Sequence, residues 1–422
     1  MKELALYDRD GLGLPDEQVF DALREALDSC GTLKKVLLIP PDFTRFYSCA
    51  GKITNAFYNM LAPHCHVDVL PALGTHVAMT REECAIMFPD IPFDRMIVHN
   101  WRTDVVKIGE VPAEFVREVS EGVMDETIDV EVNRLIMDSS YDLILSVGQV
   151  VPHEVVGMAN HAKNIFVGCG GNRMINASHI LGAFYGMERM MGKDHTPVRK
   201  VFDYAQEHFL KNVPLQYILT VTTAPDNQPR IHGLFIGGER RGFEKAVELA
   251  QQKNLICVDK PFTKVVVNMD PGEFKTTWLA NKSVYRTRMA IADGGELIVL
   301  APGVHKFGED DTIDKLIRKY GYTGREHIIE LCKTQDDLKG NMSAAAHLIH
   351  GSSDGRFKIT YCTRLLTEQE VRGAGFEYVP YDEMVKIYDP EVLKDGYHTI
   401  NGEEIFYISN PALGLWADKS KF

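Results

Sequence analysis

The chain has no CxxC cysteine pair, no internal repeat, no low-complexity linker and no apolar run near the roughly 18 residues that a membrane span needs. Its eight cysteines, at 30, 49, 65, 84, 169, 257, 332 and 362, are scattered. That speaks for reduced thiols and against a disulfide frame or a structural zinc knuckle. The opening stretch MKELALYDRDGLGLPDEQ puts no basic segment ahead of an apolar one, so a cytoplasmic protein with no membrane partner is expected. Positive charge is also short. Against 59 Asp and Glu stand 46 Lys and Arg, a net charge of −13, which repels polyanions and argues against nucleic acid as a partner.

What is present suits a globular α/β protein. The 422 residues, 45% hydrophobic, can bury an ordinary core and favour two domains. Apolar runs at Lys35–Pro40, Val67–Leu73, Arg95–His99, Tyr141–Val147 and Ile165–Gly168 alternate with helical stretches, the pattern of βαβ units around a largely parallel sheet. Amphipathic patterns follow at Arg199–Leu210 and Phe243–Gln252. A second set of strands then begins at Thr263–Asn268 and Leu297–Ala301, with helical patterns at Asp311–Tyr320, Arg325–Cys332 and Ala344–His350 and strand-like ones at Phe357–Tyr361 and Phe376–Val379. The expected domains are 1–256, 257–400, and a tail, 401–422, returning to the N-terminal domain.

Three segments place polar residues directly after expected strands, where open α/β sheets hold their ligands. In Pro40-Pro41-Asp42-Phe43-Thr44-Arg45 a carboxylate and a guanidinium three residues apart can seat an anion, with Asp42 holding Arg45 by an ion pair. A capping aspartate beside a solvated arginine fits the same spacing. In Leu73-Gly74-Thr75-His76 the glycine permits a tight turn that delivers an imidazole to a strand tip, ahead of a helix start with a capping box at Thr80 and Glu83.

The third segment runs from His153 through His161 and Lys163 to His179, three histidines and a lysine within 27 positions. Neutral imidazoles suit a transition metal, whereas lysine is a poor ligand and a good covalent anchor. No H-E-x-x-H signature is present, so spacing alone leaves structural roles open. Gly168, in Val167-Gly168-Cys169-Gly170-Gly171, offers a phosphate-binding turn or a plain tight one. Farther on, Trp278 and Lys282 stand four apart, so on a helix they share a face that could close over an anionic substrate; a core tryptophan with a solvated lysine fits equally well.

In order and content these segments resemble the nickel-dependent lactate racemase family: PDFTR, then GTH-x-x-x-T, then H-x(9)-K, then a histidine 16 positions on, then the Lys282 region and a closing Pro411-Ala412-Leu413-Gly414-Leu415. The resemblance implies two α/β domains with a cofactor- and substrate-binding cleft between them. It also implies a nickel-pincer nucleotide, a nickel ion held by a pyridinium mononucleotide bearing thioacid groups, joined to Lys163 as a thioamide and ligated by His179, with Asp42, Arg45 and Gly168 around it. His76 and His153 would be the acid/base pair, and inversion would proceed by proton-coupled hydride transfer. Arg45, His161, Trp278, Asn281 and Lys282 would line the substrate. The implied partners are a small 2-hydroxy acid and the proteins that make the cofactor.

The chain departs from the family at Val77-Ala78 after His76, at Asn160-His161-Ala162 before Lys163, and at Trp278-Leu279 before Lys282. His161, Asn160 and Asn281 would suit a substrate with extra hydroxyls, because a pocket built to hydrogen-bond penalises a ligand lacking the partners. The expected activity is therefore C2 epimerisation of an aldonic acid such as gluconate. The alternatives are racemisation of lactate, malate or another short 2-hydroxy acid, and a hydrolase or dehydratase using the histidines on a metal without a tethered cofactor.

Overall fold

Three neighbouring parallel strands ending along one sheet edge explain why the segments singled out above can meet. In the computed structural model, which describes residues 1–224, 228–411 and 414–421, the chain forms two compact units. One is Met1–Tyr185 with Met190–Asn254, the other Gly186–Arg189 with Leu255–Phe422.

The first unit carries a six-stranded sheet in the order Leu4–Tyr7, Arg230–Gly237, Leu215–Thr223, Leu143–Gln149, Lys35–Ile39, His66–Val69. The first two strands join by antiparallel pairing and the last four run parallel. Lys35–Ile39 shows why its sequence is a continuous apolar run. Val36 and Leu38 enter one core cluster while Leu37 and Ile39 enter the other, so both faces are buried. Helices Asp16–Asp28 and Ala50–Leu61 cover one face through Val19, Leu23, Ile53 and Phe57, and Pro197–Phe209 and Arg240–Asn254 cover the other through Val201, Phe202, Phe243 and Val247.

The second unit has its own six-stranded sheet, ordered Glu377–Tyr378, Lys358–Cys362, Ile291–Leu300, Phe262–Asn268, Glu403–Ile408, Gly396–Ile400 and parallel except for the last pair. The tail does not return to the first unit as expected. Glu403–Ile408 pairs with Phe262–Asn268, and Leu415–Asp418 pairs in parallel with Leu255–Val258, so both stay in the second unit. Ala412 and Leu413 of the expected closing strand lie outside the described residues. No described helix is long and apolar enough to cross a membrane.

Two expected strands take other forms. Arg95–His99 begins with a 3-10 turn, Phe93–Arg95, and makes a single bridge from Met96 to Val69. Beyond it the His99 ring turns inward to the Gly170 carbonyl at 3.0 Å and to Asn133 at 3.0 Å, which draws the chain off the sheet edge. Ile165–Gly168 belongs to a π-helical turn, Asn164–Gly168. Its Asn164 amide donates to the Ile39 carbonyl (3.3 Å) and the Ser146 hydroxyl (3.0 Å), and this side-chain anchoring on two strands replaces ladder pairing.

The hairpin Pro152–His153 with Gly157–Met158 turns at Gly157, whose φ is +90°. A Cβ there would sit 2.2 Å from the Lys193 carbonyl oxygen and 2.8 Å from that of Met190. Gly157→Ala therefore adds left-handed strain of about 1–3 kcal/mol on top of the clash. The thermal midpoint of the purified variant is expected to drop by several degrees; an unchanged midpoint would show that the hairpin is not pinned as described.

Candidate active site

Asp42, His76 and His153 each follow the end of a parallel strand. Lys35–Ile39 leads into Asp42, which caps the short 3-10 helix Phe43–Ser48 by accepting from the Thr44 amide at 3.2 Å and the Thr44 hydroxyl at 2.5 Å. His66–Val69 leads to Gly74, at φ +58°, and then to His76. The Gly74 N–H donates to the Gly168 carbonyl at 2.8 Å, which ties this turn to the π-helical turn. Leu143–Gln149 leads to His153.

His76 and Asp42 form a hydrogen-bonded pair, Nδ1 to Oδ2 at 2.6 Å. Burial works to raise the Asp42 carboxyl, but the bonds from His76 and Thr44 outweigh it and hold the group below its usual range. The His76 side chain is 58% exposed, so its far nitrogen is open to a ligand. The expected Asp42–Arg45 ion pair is not formed: the carboxylate is taken by His76 and Thr44, and the Arg45 guanidinium has no ion pair or hydrogen bond among the described residues, although the Arg45 backbone N–H donates to the Asp42 carbonyl at 3.1 Å.

His153 is buried and its Nδ1 accepts the Val155 backbone N–H at 3.1 Å. Burial, then the charges of Lys163, Arg45 and His179, push this imidazole well below its ordinary value, against the pull of Glu154. Lys163 follows a tight reversal in which Asn160 (φ 66°) and His161 (φ 54°) are both left-handed, a costly pairing for residues with side chains. Arg199, fully buried in the first turn of Pro197–Phe209, secures it by donating from Nη2 to the Met158 carbonyl at 2.6 Å and the Asn160 carbonyl at 3.2 Å. Burial and then Arg45 lower the Lys163 amine from 10.5 to about 8, while Glu154 and Asp42 act in the other direction. His179, on helix Asn172–Tyr185, hydrogen-bonds through Nδ1 to the Ile175 carbonyl at 2.7 Å, and burial lowers it to about 4. It is neutral at pH 7, with Nε2 left for a metal, the arrangement in which a ligating imidazole is oriented through its other nitrogen.

Electrostatics thus joins Asp42, Arg45, His153, Glu154, Lys163 and His179 into one group, with His76 bonded to Asp42. Glu154 and Arg199 were not anticipated. Glu154 carried the signal of adjacency to His153; nothing in the local pattern marked Arg199.

Two expectations are corrected. His161 is 1% exposed and its ring lies between Tyr217 (3.9 Å) and Phe243 (5.0 Å), so it packs in the core and does not line a substrate. Asn281 is fully buried and accepts the Tyr361 hydroxyl at 2.7 Å. At Gly168 the turn leaves no room for a side chain, since a Cβ would stand 2.6 Å from that of Ala72, which is compatible with the expected backbone role. In the second unit Trp278 stacks on His347 at 4.2 Å, and the His347 ring is held by the Tyr285 and Tyr322 hydroxyls at 2.7 and 2.9 Å. Lys282 lies 3.8 Å from Glu273 and 5.5 Å from the Phe274 ring centroid.

A family model described as the lactate racemase N-terminal domain matches residues 16–192. No curated protein sequence matches the chain. Among solved structures, a Thermotoga maritima protein is similar over 98% of this chain and 100% of its own, with 25% identity and a TM-score of 0.78. The lactate racemase apoprotein from Thermoanaerobacterium thermosaccharolyticum is similar over 96% of each chain, with 18% identity and a TM-score of 0.70, a likeness of fold.

An amine lowered to about 8 is largely neutral above that pH and reacts where surface lysines do not. Reductive methylation with formaldehyde and cyanoborohydride, resolved by peptide mass, is expected to give Lys163 a rate midpoint near pH 8. Arg45→Gln removes a neighbouring cation and is expected to move that midpoint upward; identical profiles would contradict the assigned coupling.

Proposed function

We propose, from the match of residues 16–192 to the lactate racemase N-terminal domain model, that the protein is an isomerase that inverts C2 of a 2-hydroxy acid. The observation that carries the proposal is Lys163, a nucleophilic amine in one electrostatic group with His153 and His179, while His76 is paired to Asp42.

The donor set fits the nickel-pincer nucleotide. Lys163 offers an amine that gives up its proton near pH 8, far more readily than a surface lysine, for a thioamide bond, and His179 an oriented Nε2 for nickel. Among the described residues no three His, Cys, Asp or Glu side chains converge as a metal site. A nickel ion at His179 would therefore take its other ligands from the organic group, and the reading of His76, His153 and His179 as a three-histidine hydrolase centre has no support. When bound, the cofactor supplies an acceptor for the α-hydrogen as hydride.

The remaining work falls to the chain's own groups. His76, with Asp42 behind it, takes the proton of the substrate's C2 hydroxyl. Arg45, with its guanidinium unpaired among the described residues, holds the substrate carboxylate. The reversal at Asn160–His161, secured by Arg199, fixes where the Lys163 amine emerges. The protein's partners are then the 2-hydroxy acid and, before turnover, the proteins that build the cofactor.

The case for an aldonic acid such as gluconate rests on Asn160, His161 and Asn281, all of which are buried. With those side chains packed inside, no residue named for extra hydroxyls remains at the site, and the proposal is for a 2-hydroxy acid as a class.

The test is chiral chromatography of C2-epimeric hydroxy-acid pairs, lactate, malate and gluconate among them, incubated with cofactor-loaded protein. Inversion of at least one pair is expected, with His76→Gln and Asp42→Asn each slowing it by about 10²–10⁴-fold, the usual share of acid–base catalysis. No inversion of any pair by fully loaded protein would overturn the proposal.

A further inference from the structure

The two imidazoles offered as an acid/base pair are not wired alike. His76 Nδ1 faces the Asp42 carboxylate at 2.6 Å. That carboxylate, held ionised by its bonds, can only accept, so His76 carries its proton on Nδ1 and presents the lone pair of Nε2. His153 Nδ1 faces the Val155 backbone N–H at 3.1 Å. A backbone amide can only donate, so His153 carries its proton on Nε2 and presents an N–H. Neither partner can change its role, and each tautomer is therefore locked.

We propose that the two histidines have fixed, unequal roles, His76 as the one proton acceptor and His153 as a hydrogen-bond donor to the substrate oxygen. This rests on the isomerase reading and deepens it. In the step assigned to His76, the O–H bond of the C2 hydroxyl breaks and an N–H bond forms at Nε2. The bonding pair stays on oxygen, and the new imidazolium is balanced by Asp42. The charge left on oxygen is met by the His153 Nε2–H. The reverse transfer breaks that N–H bond and returns the proton to the oxygen.

The surroundings of His153 support the division. A second proton on its ring would displace the Val155 N–H and place a cation in a buried position near Arg45, Lys163 and His179, opposed by Glu154. His76 has the opposite setting, more than half exposed and backed by a carboxylate.

The experiment is long-range ¹H–¹⁵N correlation NMR of the cofactor-free protein labelled with ¹⁵N-histidine. The two rings are assigned by the cross-peaks lost in His76→Gln and in His153→Gln. At pH 7 the expected result is an Nδ1–H tautomer for His76 and an Nε2–H tautomer for His153, with the His153 signals unmoved between pH 8 and 6. An Nδ1–H or doubly protonated His153, or an Nε2–H His76, would overturn the proposal. If a variant fails to fold, neutron diffraction from wild-type crystals locates the same two protons without substitution. The outcome is separate from that of the chiral assay, since tautomers other than these would leave inversion standing, and failed inversion would leave the tautomers standing.

Discussion

Charges crowded at the end of a parallel sheet cannot be set independently of one another. Three strands of one unit deliver Asp42, His76 and His153 to the same edge, and the reversal at Asn160–His161 brings Lys163 up beside them. Two anions, Asp42 and Glu154, and two potential cations, Arg45 and Lys163, then share a poorly hydrated space. The amine yields, at a displacement worth roughly 3 kcal/mol against its charged form. His153 and His179 stay neutral for the same reason. An amine that deprotonates readily and neutral imidazoles in one place are what covalent tethering and metal ligation each require.

The cost of this arrangement is borne by the backbone. Two consecutive left-handed residues with side chains are stable only when their surroundings insist on them, and here the insistence comes from Arg199 on the Met158 and Asn160 carbonyls, and from Tyr217 and Phe243 around the His161 ring. Gly148 completes the fit, for a Cβ there would stand 2.0 Å from the Asn160 side-chain nitrogen. A residue that looks like a pocket histidine in the sequence is, in the fold, the packing that makes the pocket lysine possible.

That distinction marks how far the sequence could be read. Strands buried on both faces announce themselves as apolar runs, so Lys35–Ile39, Leu143–Gln149 and Phe262–Asn268 were legible, as were amphipathic helices such as Asp311–Tyr320. Ile165–Gly168 has the same apolar look but is a π-helical turn, because Asn164 finds its partners on two strand ends. Motif order brought out Asp42, His76, His153, Lys163 and His179. It could not tell an imidazole facing a ligand from one sealed between rings, which is why His161 and Asn281 were misread as substrate contacts. Nor could it find Arg199, which reaches Asn160 from 39 positions away.

The central claim is that Lys163 and His179 together hold a metal-bearing organic group, and peptide mass after co-expression with cofactor-making proteins tests it most directly. The account predicts one covalent adduct on the Lys163 peptide, absent from Lys163→Ala, with nickel retained by wild type and diminished in His179→Ala. An unmodified Lys163 peptide from protein that fully inverts its substrate would contradict it.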